Sequence, residues 1–185
     1  MDPRVRRTRQ LIEDAFRGLV TEKRFAAISV QDIAERATVN RATFYAHYVD
    51  KQDLAASVLR ADLRNAVLTL FDSRPAVTHE NLVAMAVAVF EFLARSYDAC
   101  PETALELQGI FGTALQEELY EMMEHWLSLS NAYLRLFPGC SKATVATVIS
   151  WSIYGGAHRW SRARDRKPAA TVCREIISVL LPPAK

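Results

Sequence analysis

The sequence predicts an all-α chain, and three observations predict it. Apolar residues recur at helical spacing through most of the 185 positions. No alternating polar and apolar run of the kind a half-buried strand requires is present. Glycine and proline are few, at six and seven. Half of the residues are hydrophobic and 24% are charged, so the chain can bury a core, as one domain or two small ones.

The elements follow in order. A first helix is expected from about Arg4 to Glu22, with Ile12, Ala15, Phe16 and Leu19 forming a stripe to pack on Phe25, Ile28 and Ile33. Ser29 and Asp32 make a capping box, and Val30, Ile33, Ala34 and Ala37 continue as one apolar face. Thr38-Val39 interrupts, and Asn40 caps another helix from Arg41. There Phe44 and Tyr48 share a face, expected to be buried with Val39, while the pairs Arg41/Tyr45 and Thr43/His47 project away from Phe44. Asp50 caps a fourth helix running to about Leu70, with Leu54, Val58 and Ala61 on one side.

Punctuation marks the remaining breaks. Pro75 sits in a loop, and Thr78 caps a helix to about Tyr97 that is apolar nearly all round and so central. Pro101 opens a short helix ending near Gly109 or Gly112. Thr113 with Gln116 starts another that runs to about Phe137 and stops at Pro138-Gly139. Ser141 caps the next, to about Arg162, and Pro168 opens the last, ended by Pro182-Pro183. Nine helices result, three of them in an N-terminal head, with domains at 1–50 and 51–185.

Charge is unevenly placed. Residues 1–52 hold ten Lys/Arg against seven Asp/Glu, a net +3, so the remainder of the +2 chain carries −1. The densest basic cluster, Arg4, Arg6, Arg7 and Arg9, reads as an N-terminal arm for phosphate or the minor groove. Three widely spaced cysteines, Cys100, Cys140 and Cys173, fit unpaired thiols in a reducing cytosol, not a disulfide framework or zinc site. No signal-peptide core is present, and the most hydrophobic run, Leu82 to Ala94, is too short to span a bilayer. A soluble, cytoplasmic protein is expected.

The two short helices of residues 29–48 have the division of labour that groove reading requires. Arg41 can bond guanine, Thr43 can offer a methyl or hydroxyl, and Tyr45 can donate to phosphate. Ala42 and Ala46 let the backbone sit close. Lys51, the Ser29 hydroxyl and the helix start at Val30 are candidates to hold phosphates. A solvated helical hairpin would show the same polar pairs taken singly. No Ser/His/Asp or Cys/His grouping, phosphate-cradling glycine loop or metal spacing is present. Glu121 and His125 are four apart without a third ligand, so they read as a surface pair.

The whole string S-V-Q-D-I-A-E-R-A-x-V-N-R-A-T-F-Y-x-H-Y-x-D-K, residues 29–51, closely resembles the DNA-binding segment of the TetR family of bacterial transcriptional regulators. One departure stands out: Thr38 occupies the inter-helix turn where the family usually has glycine, so the turn either adopts another conformation or carries strain. The resemblance implies a ligand-responsive regulator, most simply a repressor, that binds a palindromic double-stranded operator as a homodimer. It implies no cofactor and no enzymatic activity. The alternative is an activator or architectural DNA-binding protein without an effector. Phe71, Phe90, Phe92, Phe111, Tyr120 and Trp126 read as core on composition. The resemblance turns part of that region into a small-molecule cavity, with Phe90, Glu91, Phe111, Tyr120 and Trp126 as its candidate lining. It also makes the helices near 143–162 and 168–181, with Gly155-Gly156 and the Val172, Ile176, Val179 stripe, a dimer interface.

Overall fold

The structure, a computed structural model, describes residues 2–71, 77–99, 102, 106–129 and 137–181. Among these residues it is all-helical, with no strand: α1 (Pro3–Glu22), a 3-10 turn (Phe25–Ala27), α2 (Val30–Arg36), α3 (Arg41–Tyr45), α4 (Lys51–Leu68), α5 (His79–Ala99), α6 (Gln108–Ser128), α7 (Lys142–Ser161) and α8 (Ala169–Leu180). The short helix expected at Pro101 lies largely outside the described residues, as do Cys100 and Pro182-Pro183. No helix among the described residues is long and apolar enough to cross a membrane.

The chain forms two compact units, and their boundaries differ from a break at 50/51. The first comprises Met1–Arg60 and Ala99–Ala114, the second Ala61–Asp98 and Leu115–Lys185. The reason is continuity of helices: Arg60/Ala61 falls inside α4 and Ala114/Leu115 inside α6. Position along a helix carries no punctuation, so the sequence offered no signal there.

In the first unit Ile12, Phe16, Leu19, Phe25, Ile28, Ile33, Phe44, Tyr48 and Leu54 close one core, joined by Leu107. The capping expectations at Ser29 and Asp50 hold. The Ser29 hydroxyl accepts the Asp32 N–H at 3.1 Å while Asp32 Oδ2 accepts the Ser29 N–H at 2.7 Å. Asp50 Oδ1 accepts the Asp53 N–H at 2.7 Å, and Asp53 Oδ2 accepts the Val49 N–H at 3.0 Å. Gly18 leaves room for the Arg36 side chain: a Cβ there would lie 3.0 Å from Arg36 Nη1, while Arg36 Nη2 pairs with Glu22 at 2.6 Å.

One helix start was misread. Helix α6 begins at Gln108, so Thr113 is an interior residue whose hydroxyl bonds the Gly109 carbonyl at 3.3 Å. Helix α1 begins at Pro3, one residue before the expected start, with Asp2 as its cap, so the N-terminal arginines stand on its first turns.

The second unit confirms α5 as central. Its exposed described residues are Glu80, Glu91, Arg95 and Asp98, one narrow charged stripe, while Leu82, Met85, Ala86, Val89, Phe90 and Leu93 are buried. Helices α7 and α8 pack together, and Ile149, Ile153, Ala157, Cys173 and Ile177 on them are buried. Gly156 allows this: a Cβ there would lie 2.4 Å from Ile176 and 3.0 Å from Phe90. Burial pushes the Cys173 thiol up to about 12, and the Glu91 carboxylate adds to the shift. Among the described cysteines Cys140 and Cys173 are free thiols.

Candidate nucleic-acid interface

The candidate recognition element is α3, and its orientation is fixed from below. Phe44 is fully buried and Tyr48 is 3% exposed, so this side is anchored in the core, while Tyr45 is 50% exposed. Arg41, Ala42 and Ala46 are exposed, and Thr43 and His47 are half-buried. The Arg41, Thr43, Tyr45, His47 side therefore faces outward, as the four-residue spacing predicts. Asn40 holds the start of the helix: its Oδ1 accepts the Thr43 N–H at 2.7 Å and the Thr43 hydroxyl at 2.9 Å. Tyr45 is steadied by an edge-on contact with Phe44, centroids 5.5 Å apart.

The turn before α3 carries the strain that Thr38 threatened. Thr38 has φ +57°, the left-handed region. Its N–H bonds the Glu35 carbonyl at 3.1 Å and the Val39 N–H reaches back to the Ala34 carbonyl at 2.9 Å, the paired bonds of a Schellman cap. The turn thus keeps the geometry glycine serves best, and a β-branched residue occupies it at a cost.

Several cationic and hydroxyl candidates are committed elsewhere. Lys51 Nζ donates to the carbonyls of Phe25, Ala26 and Ile28 at 2.9, 3.4 and 2.7 Å and sits 4.5 Å from the Phe25 ring centroid. Its ammonium thus closes the 3-10 turn instead of pointing at a phosphate. The Ser29 hydroxyl donates to Asp32 at 2.7 Å, and the Val30 side chain packs on the core. Asp32, whose carboxyl is held well below its usual range chiefly by the Ser29 hydrogen bonds and also by Lys23, puts a negative charge at the start of α2. Arg9 donates to Glu13 at 3.1 Å and to Ser57 at 2.6 Å and lies over Tyr48. Arg4, Arg6 and Arg7 are exposed.

Sequence reasoning missed the buried network beneath α3. Glu13, 8% exposed, accepts the Tyr48 hydroxyl at 2.7 Å, and the Tyr48 phenol is pushed up by burial and by this bond. It also missed Glu106, which accepts from Arg24 at 2.7 Å and from the Ala26 N–H at 2.9 Å. The i,i+4 spacing of Arg9 and Glu13 was legible; the burial of Glu13 was not.

The candidate ligand residues are not brought together. Phe90 is fully buried against Trp160, Glu91 is exposed near Arg95, and Phe111 packs on the core of the first unit. Tyr120 is half-buried, its hydroxyl 3.5 Å from Glu124. Trp126 does line a cleft of about 370 Å³, with Arg64, Leu68, Glu121, Met122 and His125.

Residues 12–58 match the family described as bacterial regulatory proteins, tetR family. Residues 12–58 thus carry a segment similar to the DNA-binding region of that family. That family and the relatives this chain matches are transcriptional regulators, not enzymes. TcmR of Streptomyces glaucescens, an HTH-type transcriptional regulator, is 32% identical over 133 residues, 71% of this chain and 54% of TcmR. The chain spans about half the length, or less, of the curated relatives it matches. Among solved structures, the TetR-family repressor AlkX of Dietzia, implicated in n-alkane biodegradation, shares the fold at a TM-score of 0.61. Identity there is 20%, with 93% of this chain and 94% of AlkX covered. FadR of Bacillus subtilis, solved with stearoyl-CoA, aligns at a TM-score of 0.58 and 16% identity over 95% of this chain and 99% of its own. At these identities the structures establish the TetR fold alone.

Proposed function

We propose that this chain is a ligand-responsive transcriptional repressor of the TetR family that binds a palindromic operator as a homodimer. The observation that carries the reading is the outward face of α3: Arg41, Thr43, Tyr45 and His47 stand opposite the buried Phe44 and Tyr48. A five-residue helix with alanines between its polar residues fits a major groove, and arginine and threonine supply its base contacts. Arg4, Arg6 and Arg7 serve phosphates from the exposed turns of α1. Ser29, Val30 and Lys51 belong to the scaffold that holds α3.

Dimerisation rests on the outer side of α7 and α8. Val148 is 48%, Trp151 54% and Val179 84% exposed, and a Cβ on Gly155 would meet nothing within 4 Å. Two such heads, related by a two-fold axis, reach half-sites about one helical turn apart. A small molecule that binds better to the state with mismatched heads releases the operator.

Selection of random duplexes against the purified protein tests the core of the reading. A palindromic consensus is expected, with binding lost in Arg41→Ala and Tyr45→Ala variants that keep their helical circular dichroism. Retained binding in both would remove α3 from the interface. A reporter fused to the selected site then gives the sign of regulation.

A further inference from the structure

The cleft of the second unit has a charge that selects its ligand. Its rims come from α4 (Arg64, Leu68) and α6 (Glu121, Met122, His125, Trp126). At about 370 Å³ it is within the range of small-molecule sites. Leu68, Met122 and Trp126 supply apolar surface, and Trp126 is fixed by an edge-on contact with Phe71, centroids 5.0 Å apart.

The polar groups do not balance. Arg64 is committed: its Nε and Nη2 grip the two oxygens of Glu118 at 2.5 and 2.9 Å, and Glu118 is 1% exposed. A buried carboxylate of this kind keeps its partner, because releasing it would leave an uncompensated charge in the interior. Arg64 and Glu118 therefore cancel. Glu121 receives only a 3.3 Å contact from Arg64 Nη2, and its side chain is 56% exposed. One carboxylate is left over at the mouth of a cleft whose remaining lining is Leu68, Met122 and Trp126 with the uncharged imidazole of His125 beside them. An anionic ligand would meet this charge without an available arginine. An organic cation would pair with Glu121 and lay its apolar body on Leu68, Met122 and Trp126, with added attraction to the indole.

We propose that this cleft binds a lipophilic organic cation, an ammonium or similar group carrying an apolar body. The inference rests on the ligand-responsive reading above for its regulatory meaning, but not for the binding itself.

Three probes with one chain length and different heads test it by titration calorimetry, below their critical micelle concentrations: decyltrimethylammonium, decanol and decanoate. The cation should bind most tightly and decanoate least. Glu121→Gln should weaken the cation about fivefold, the scale of an exposed charge pair, and leave decanol unchanged. Leu68→Trp, which fills the cleft from an exposed position, should abolish binding of both. Equal affinity for the three probes, preference for decanoate, no binding by any probe, or a cation affinity indifferent to Glu121→Gln would overturn the proposal. Operator binding is measured separately: a bound cation that leaves DNA affinity unchanged overturns the regulatory reading and leaves the site intact.

Discussion

The Tyr48 hydroxyl donates to Glu13 Oε1 at 2.7 Å, tying the turn that follows α3 to the inner side of α1. Both residues are buried, and Arg9 approaches the same oxygen at 3.1 Å. Helix α3 is thus held by a polar clasp as well as by Phe44. Tyr48→Phe removes one hydrogen bond while Arg9 remains, so a loss of about 1–2 kcal/mol in denaturant unfolding is expected. Glu13→Ala removes the carboxylate acceptor of the buried phenol and leaves Arg9 with Ser57, and should cost more, about 2–3 kcal/mol. A Glu13→Ala variant as stable as the parent would show that the clasp contributes nothing.

Thr38 offers the opposite sign. Its φ of +57° disfavours a β-branched side chain by about 1–2 kcal/mol, and glycine removes that cost. Glycine also gains unfolded-state entropy, which returns part of the benefit. Thr38→Gly is expected to raise the midpoint of thermal unfolding by a few degrees, with Thr38→Asn between. An unchanged or lowered midpoint would mean that the Thr38 side chain stabilises the turn in some further way.

These two sites mark what the sequence made legible. Short-range patterns held at the Ser29/Asp32 box, the Asn40 cap, the outward spacing of Arg41 and Tyr45, and the strain at Thr38, but the Thr113/Gln116 pattern fell inside α6 and opened no helix. Long-range partners were not legible. Lys51 looked like a cation beside a DNA-facing helix because nothing local shows that three carbonyls lie within its reach. Phe111 looked like a cavity wall because its return to the first core depends on tertiary packing. Arg64 and Glu118 are 54 positions apart, beyond any periodicity argument.

The different fates of Lys51 and the α1 arginines give a salt test. Arg4→Ala and Arg7→Ala should each weaken operator binding uniformly across sequences. Each should also lower the slope of log affinity against log salt by about 1, the signature of a lost phosphate contact. Lys51→Met should leave that slope alone and instead reduce stability, since three carbonyls lose their donor. A slope change in Lys51→Met would return this ammonium to the phosphate surface.

Acid should loosen the head through Asp32. Its carboxyl is held below the usual range by the Ser29 hydrogen bonds and by Lys23, so its proton binds more weakly in the folded state. That contribution is complete above the ordinary carboxylate range, about pH 4, and is withdrawn as pH falls below it. Asp32→Asn cannot titrate, so its thermal midpoint should fall less steeply than the parent's between pH 5 and pH 2, taken as about the span of carboxylate titration. Parallel curves would show that the capping carboxylate has no part in acid unfolding.

The paired glycines of α7 separate subunit packing from self-association. Gly156 touches Ile176 and Phe90, so Gly156→Ala must displace one of them and should lower stability, by about 1–3 kcal/mol for an overpacked interior. Gly155 looks into open space, and alanine there should improve the helix itself by up to about 1 kcal/mol. On an interface the same methyl would hold the partner helix away, so Gly155→Ala should stabilise the isolated subunit while weakening the dimer. Trp151, 54% exposed on that side, should act as the anchor, with Trp151→Ala weakening association by about 2 kcal/mol or more. Sedimentation equilibrium across a range of concentrations reads both effects. If neither substitution moves the association constant, the partner subunit docks somewhere other than this face of α7.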